Sequence, residues 1–305
     1  MTSTGSTNAR IDFSRLSVVF SQLGGNCADV ERHLGILGIR TLRTSPDYDR
    51  TCRTIDRDRP DLVLCAMRPG QAEAHSLLRG IRHQEIGTNP FPVMISLAEP
   101  MSPGDGAAAI NTGIDSMLLA PFDRDTFVRR VNELAFNRKK FVAAPGYIGP
   151  TRRVSMRQET GAGEEFEVPN PVRSMGTGMS REECLREIEA ASQSLTGRKL
   201  SNDIAAIRRL VYEIAPDYEA GNITDHFHRR VQELHAIVQM IQKRGLRIGN
   251  RDLVSMCELA NNILGEIRER PTPPNLRHLR AMPKLVSGFQ MALLSVPERR
   301  ARRDA

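Results

Sequence analysis

The chain has 305 residues, 40% hydrophobic, 26% charged and 5% aromatic, without tryptophan; this length suits two domains, and the composition excludes collagen-like and wholly disordered chains. The 43 basic and 36 acidic residues leave a net charge of +7, which favours loose attraction to acidic partners without specifying a nucleic-acid site. Cys27, Cys52, Cys65, Cys184 and Cys257 are far apart and show neither C-x-x-C spacing nor a zinc-finger histidine partner, so reduced, structural thiols in the cytoplasm are expected. The polar start MTSTGSTNAR lacks the apolar centre of a secretory signal. No apolar run approaches about 18 residues, so no membrane span is expected.

Residues 1–14 read as a disordered tail. Five short apolar segments follow, at 16–20, 39–42, 61–65, 92–96 and 115–119. Their apolar residues run together rather than alternate, as strands buried on both faces require. Helical spacing appears between them. Val30, Leu34 and Leu37 fall on one face of 26–37, and Leu77, Leu78 and Ile81 on one face of 72–82. Phe127, Val131 and Leu134 do so in 123–137, with Asp123 at the N-cap. Alternating strands and helices predict a doubly wound, five-strand parallel sheet over 15–140, with its functional edge at the carboxyl ends of the strands.

The stretch 141–179, rich in Gly, Pro, Ser and charge, reads as a flexible linker. Helical periodicity returns over 180–296. Ser180 and Glu183 form a capping-box pattern ahead of Leu185, Ile188 and Leu195. A second stripe, Ile204, Ile207, Val211 and Ile214, ends at Pro216. A third, Phe227, Val231, Leu234, Val238 and Ile241, has heptad-like spacing and ends near Gly245. A fourth, Leu253, Met256, Ala260, Ile263 and Ile267, stops before Pro271, and Pro283 is expected to kink or split the last helix. These stripes predict an all-α helical bundle. The third stripe, as a seam, predicts self-association into a homo-oligomer. Residues 297–305 read as a basic tail.

Within the first domain, PDLVLCAMRPGQAEAHSLLRGIR resembles the third strand and following helix of two-component response-regulator receiver domains. NPFPVMISLAEP is similar to their fourth strand. AAAINTGIDSMLLAPFDRDTFVRRV is similar to their fourth helix, fifth strand and the Pro-Phe after it. KKFVAAPGYIGPTRR resembles an extension found after receivers in some alphaproteobacterial regulators. Receiver chemistry needs an aspartate at the end of the third strand, an acidic pair after the first to hold Mg²⁺, a hydroxyl after the fourth and a lysine before Pro-Phe. A hard cation and a lysine must neutralise the charge that phosphoryl transfer develops on oxygen. Here these positions fall on Ala66, on Ser21 and Gln22, on Leu97 and on Ala120, ahead of the retained Pro121 and Phe122. Ser96 lies one residue from the hydroxyl position. Asp29, Asp61, Glu73 and Asp115 read as caps or solvated faces.

The resemblance therefore implies a degenerate receiver, without cofactor or metal, that serves as a non-catalytic adaptor. Its partners would be signalling proteins: a histidine kinase, a receiver or a structural protein. Its interaction surface would lie near 108–112, Met117, Pro121, Phe122 and 127–138. Leu97 and Ala120, apolar where switching groups belong, would fix that surface in one state. The bundle would offer Phe227, Val231, Leu234, Val238 and Ile241.

Three alternatives belong to the helical region. His226, His228, His235 and His278 lack the flanking residues of a phosphotransfer histidine and read as face or interface residues; His228 and His235 stand two helical turns apart, too far for one metal ion. Glu258 and Asn261 resemble the E-x-x-N pair of chemotaxis-type receiver phosphatases, whose amide positions a water. Arg208, Arg209, Arg229, Arg230, Lys243, Arg244 and Arg247 read as solvated faces, because no recognition helix accompanies them, which leaves a DNA-binding regulator as the third reading. No P-loop, nucleophile elbow or zinc-protease motif is present.

Overall fold

A computed structural model describes residues 11–24, 28–144, 146–152 and 164–294. The expected tails at 1–14 and 297–305 fall largely or wholly outside these residues, as do Cys27 and the middle of the expected linker. The chain divides into two compact units, 1–195 and 196–305.

The first unit begins β1 (Ser17–Ser21), α1 (Ala28–Ile36), β2 (Thr41–Ser45), α2 (Tyr48–Asp58), β3 (Leu62–Met67) and α3 (Ala72–Arg82). It continues β4 (Val93–Ala98), α4 (Pro103–Ile110), β5 (Ser116–Leu119) and α5 (Arg124–Phe136). The five strands are parallel, in the order β2-β1-β3-β4-β5. This is the flavodoxin-like α/β order. β3 and β4 are buried at every position, which explains their uninterrupted apolar sequence. Val18, Phe20, Leu62, Leu64, Ala66, Ile95 and Leu97 pack with Val30, Leu34, Phe127 and Val131 of α1 and α5. Val19, Val63, Cys65, Met67 and Met94 face Ile55, Leu77, Leu78, Ile81 and Ala109 of α2, α3 and α4 on the other side. Asp123 caps α5 as expected, accepting from the Thr126 amide at 2.7 Å.

Residues 141–179 do not behave as the expected linker where they are described. β6 (Phe141–Ala144) and β7 (Tyr147–Pro150) form an antiparallel hairpin, Phe141 and Phe166 exchange backbone hydrogen bonds, and α6 (Pro171–Gly176) follows. Phe141, Tyr147, Ile148, Val172 and Met175 are buried. One glycine permits the close approach: Gly113 has φ +87°, and a Cβ there would stand 2.2 Å from the Ile148 carbonyl oxygen. The division between units accordingly falls at 195/196. The first turns of α7 (Arg181–Glu219) bring Cys184, Ile188 and Leu195 into the core of the first unit. The capping box is present: the Glu183 amide donates to Ser180 Oγ and the Ser180 amide to Glu183 Oε2, both at 3.2 Å.

The second unit holds residues 196–219 of α7 with α8 (Asp225–Ile248), α9 (Arg251–Glu269) and α10 (Leu276–Leu294). α7 does not end at Pro216 as expected but runs through it, and Pro283 does not split α10. Both prolines are exposed, so water can serve the carbonyls their missing N–H groups leave unpaired. α8 extends past Gly245 to a left-handed cap at Gly249. Phe227, Val231, Leu234, Val238 and Ile241 are each at most 2% exposed, packed against Ile207, Val211, Cys257 and Phe289 of the neighbouring helices. They are the inner face of the bundle, not an external seam. No helix among the described residues is long and apolar enough to cross a membrane.

Candidate functional site

The carboxyl ends of the strands bring the five expected positions to one edge. Ser21 pairs in register with Cys65, Ala66 with Leu97, and Ala98 with Leu119. Three of these side chains are sealed: Ser21 is 0%, Ala66 1% and Leu97 4% exposed. The Ser21 hydroxyl has no partner among the described residues.

The chain after β1 closes over the end of β3. The Gly24 amide donates to the Ala66 carbonyl at 3.0 Å. A Cβ on Gly24 would stand 2.4 Å from the Met67 nitrogen and 2.5 Å from the Ala66 carbonyl oxygen. Only glycine therefore lets backbone rest directly on backbone here. Gln71 secures the arrangement: Nε2 donates to the Leu23 carbonyl at 2.5 Å, and Oε1 accepts from the Arg68 amide at 3.3 Å. Gln22 is turned aside, its amide donating to the Ser45 carbonyl at 2.8 Å and its Nε2 to Glu31 Oε1 at 2.9 Å. The backbone at residue 24 thus rests on the peptide that links residues 66 and 67. Ser96 is buried on the opposite face, its hydroxyl 3.7 Å from the Met67 sulfur.

Beyond this edge an apolar patch is flanked by charge, the exposed Arg68–Glu99 pair and the exposed Asp123, Arg124 and Asp125. Leu119 is 54% exposed, Ala120 and Pro121 are exposed and Phe122 is half-buried. Ala107 and Ala108 of α4 are exposed, and Met117 is half-buried. Phe127, expected at this surface, is 1% exposed and belongs to the core.

Two acidic residues expected as caps or solvated groups are buried at the opposite end of the sheet. Asp61 is 1% exposed and accepts from the Ser17 amide at 2.8 Å and from Arg181 at 2.5 Å. Burial raises its pKa to about 6, against the opposing pull of Arg181 and the Ser17 amide. Asp115 accepts from Arg82, Arg138 and the Met94 amide at 2.7–3.1 Å. Both guanidinium groups approach the Phe141 ring, each 4.9 Å from its centroid. Glu73 is exposed; the Asp29 side chain lies outside the described residues.

In the helical unit the candidate groups are dispersed. His226 and His228 are exposed. His235 contacts Arg268 and Gln239 at 3.1 and 3.3 Å, and burial followed by Arg268 lowers its pKa. His278 is 7% exposed, held by Glu266 at 2.8 Å and the Tyr218 hydroxyl at 3.3 Å. Asn261 donates to Gln242 at 3.0 Å, its Oδ1 is buried without a partner among the described residues, and Glu258 is exposed. The amide is thus engaged with Gln242, with its oxygen buried. Arg209, Arg230 and Arg244 make ion pairs between α7 and α8 with Glu233, Glu213 and Asp203, pairings that helical spacing alone did not reveal. No known family model matches the chain, and no curated protein is significantly similar to it.

Proposed function

We propose that this chain is a non-catalytic signalling adaptor whose receiver-like first unit is not phosphorylated and acts by protein contact. The observation that carries the reading lies at the end of β3: the expected acceptor position bears a buried methyl group, and the Gly24 backbone rests on the Ala66–Met67 peptide beside it. Ser21 and Gln22 supply no carboxylate for Mg²⁺ and Ala120 no cation. The apolar surface of Ala107, Ala108, Leu119, Ala120 and Pro121 supports docking of an apolar patch on a signalling partner such as a histidine kinase or another receiver. The four described cysteines form no disulfide, which supports a reducing, cytoplasmic setting. The bundle's apolar stripes are consumed within the chain, so self-association through 227–241 is not part of this proposal.

The reading is tested by incubating the full chain with acetyl phosphate and Mg²⁺ and weighing the intact protein. Unchanged mass is expected. An adduct of one phosphoryl group, labile at alkaline pH, would overturn it.

A further inference from the structure

The net charge of +7 lies wholly in the second unit. Residues 1–195 hold 24 basic and 24 acidic residues, whereas residues 196–305 hold 19 and 12. Such asymmetry between the halves of a chain marks the half that meets an anionic partner. Most of the excess gathers where α8 turns into α9. Asn250 ties three elements together there. Its amide donates to the Gly245 carbonyl and its Nδ2 to the Ala292 carbonyl, both at 3.0 Å, and its Oδ1 accepts from the Leu253 amide at 2.9 Å. The end of α8, the start of α9 and the end of α10 therefore meet at one place.

This end of the bundle carries exposed cations and exposed apolar side chains together. Lys243, Arg247 and Arg251 are exposed, with the exposed carboxylate of Asp252 beside them. Arg244 and Asp203 neutralise each other in an ion pair between α7 and α8. The carboxyl ends of α8 and α10 add about half a negative charge each and the amino end of α9 about half a positive one, which leaves the cationic surplus standing. From Leu294 the chain continues into 295–305, outside the described residues, whose sequence adds Arg299, Arg300, Arg302 and Arg303 against Glu298 and Asp304. The second observation is apolar. Leu246, between Lys243 and Arg247 on α8, is 65% exposed, and Met291, in the last turn of α10, is 71% exposed. Each adjoins a residue whose carbonyl is bonded to Asn250.

We propose that this end of the bundle docks on an anionic lipid bilayer, with Leu246 and Met291 entering the headgroup region and Lys243, Arg247, Arg251 and the arginines of 295–305 meeting lipid phosphates. Each Lys or Arg near an anionic membrane strengthens binding about fivefold, so a cluster with a few apolar side chains holds a protein at the surface without a spanning helix. The apolar side chains select the partner. A nucleic-acid backbone would meet the cations but leave Leu246 and Met291 in water. Phe227 of α8 and Phe289 of α10 are buried, so neither offers a ring for a base to stack on. The adaptor reading concerns the first unit, and this assignment does not depend on it.

The test is co-sedimentation of the full chain with vesicles of phosphatidylcholine alone and of phosphatidylcholine with phosphatidylglycerol. The chain is expected to pellet with the anionic vesicles only. Lys243→Gln and Arg251→Gln, both at exposed positions, should each weaken binding about fivefold. Leu246→Ser combined with Met291→Ser should weaken it about tenfold, with helix content unchanged by circular dichroism. No pelleting with anionic vesicles, equal pelleting with neutral ones, or unchanged affinity in either the charge variants or the double serine variant would overturn the proposal. Tighter binding of a DNA duplex at equal phosphate concentration would also overturn it and assign the surface to nucleic acid.

Discussion

Arg82 Nη2 lies 2.7 Å from Asp115 Oδ2, and the two side chains are 0% and 1% exposed. Burial lowers the Arg82 pKa to about 10, opposed chiefly by Asp115. Burial alone would raise the Asp115 pKa, but Arg138 and Arg82 outweigh it and hold it below the usual carboxylate range. The remaining Arg82 donors reach the carbonyls of Gly113, Pro90 and Pro92 at 2.6–3.0 Å. Arg138 reaches those of Phe91, Pro169 and Pro92 at 2.8–3.0 Å. Through these carbonyls one carboxylate joins the start of β4, the turn before β5 and the chain leading to α6.

Asp115→Asn should therefore destabilise the first unit by about 3–5 kcal/mol, because two buried guanidinium groups lose their counter-charge. Urea unfolding followed by hydrogen exchange in β3 and β4 measures this. A loss below about 1 kcal/mol would show that the cluster is not energetically coupled.

Asp61 gives the first unit a pH dependence of unusual sign. Its folded pKa is about 6, above the ordinary 3.8. Between these values the folded state binds the proton more tightly, so stability falls as pH rises from about 4 to 6. The cost of ionisation at neutral pH is on the order of 3 kcal/mol. The lowered pKa of Asp115 acts outside this window, its contribution disappearing below about pH 4. In Asp61→Asn the slope between pH 4 and 6 should vanish, read from unfolding midpoints across that range. An unchanged slope would contradict the assignment.

Gly24→Ala places a methyl group against the backbone of Ala66 and Met67, neither of which is the end of a flexible side chain. The variant should lose about 1–3 kcal/mol and lift the segment after β1 from β3. Faster exchange of the Gln22 amide, which bonds the Ser45 carbonyl, would report the lift. Wild-type stability would mean that the two backbones are not in contact.

Phe227→Ala removes a side chain that is 1% exposed and stacked on Tyr218 at a centroid distance of 6.1 Å. A loss of about 3–5 kcal/mol from the second unit is expected, with no change in solution mass at fixed concentration. A change in oligomeric state with little loss of stability would restore the external seam.

The parallel sheet was legible because β3 and β4 are buried on both sides and carry apolar residues without a break. Helix α2 was not legible. In YDRTCRTIDRD only Thr51 and Ile55 are buried, so no apolar stripe marks it; its signal was the cap, Asp47 accepting from the Arg50 amide at 2.6 Å. The role of 141–179 was misread because Gly149 and Gly176 permit close packing, where a Cβ would stand 2.7 Å from Gly113 and 2.5 Å from Ile11. The five positions at the strand ends came from local alignment, but their closure depends on Gly24 meeting Ala66 across 42 positions of sequence, which no periodicity records. Asp61 and Asp115 were misread for a related reason: burial and distant arginine partners such as Arg181 and Arg138 are tertiary facts.

The central claim is that nothing resembling a phosphoryl group is accommodated beside residue 66. The most direct measurement is the amide NMR spectrum of the full chain before and after addition of Mg²⁺ and beryllofluoride. The account predicts no change at Ser21, Gln22, Gly24, Ala66, Leu97 and Ala120. Saturable shifts confined to those amides would contradict it.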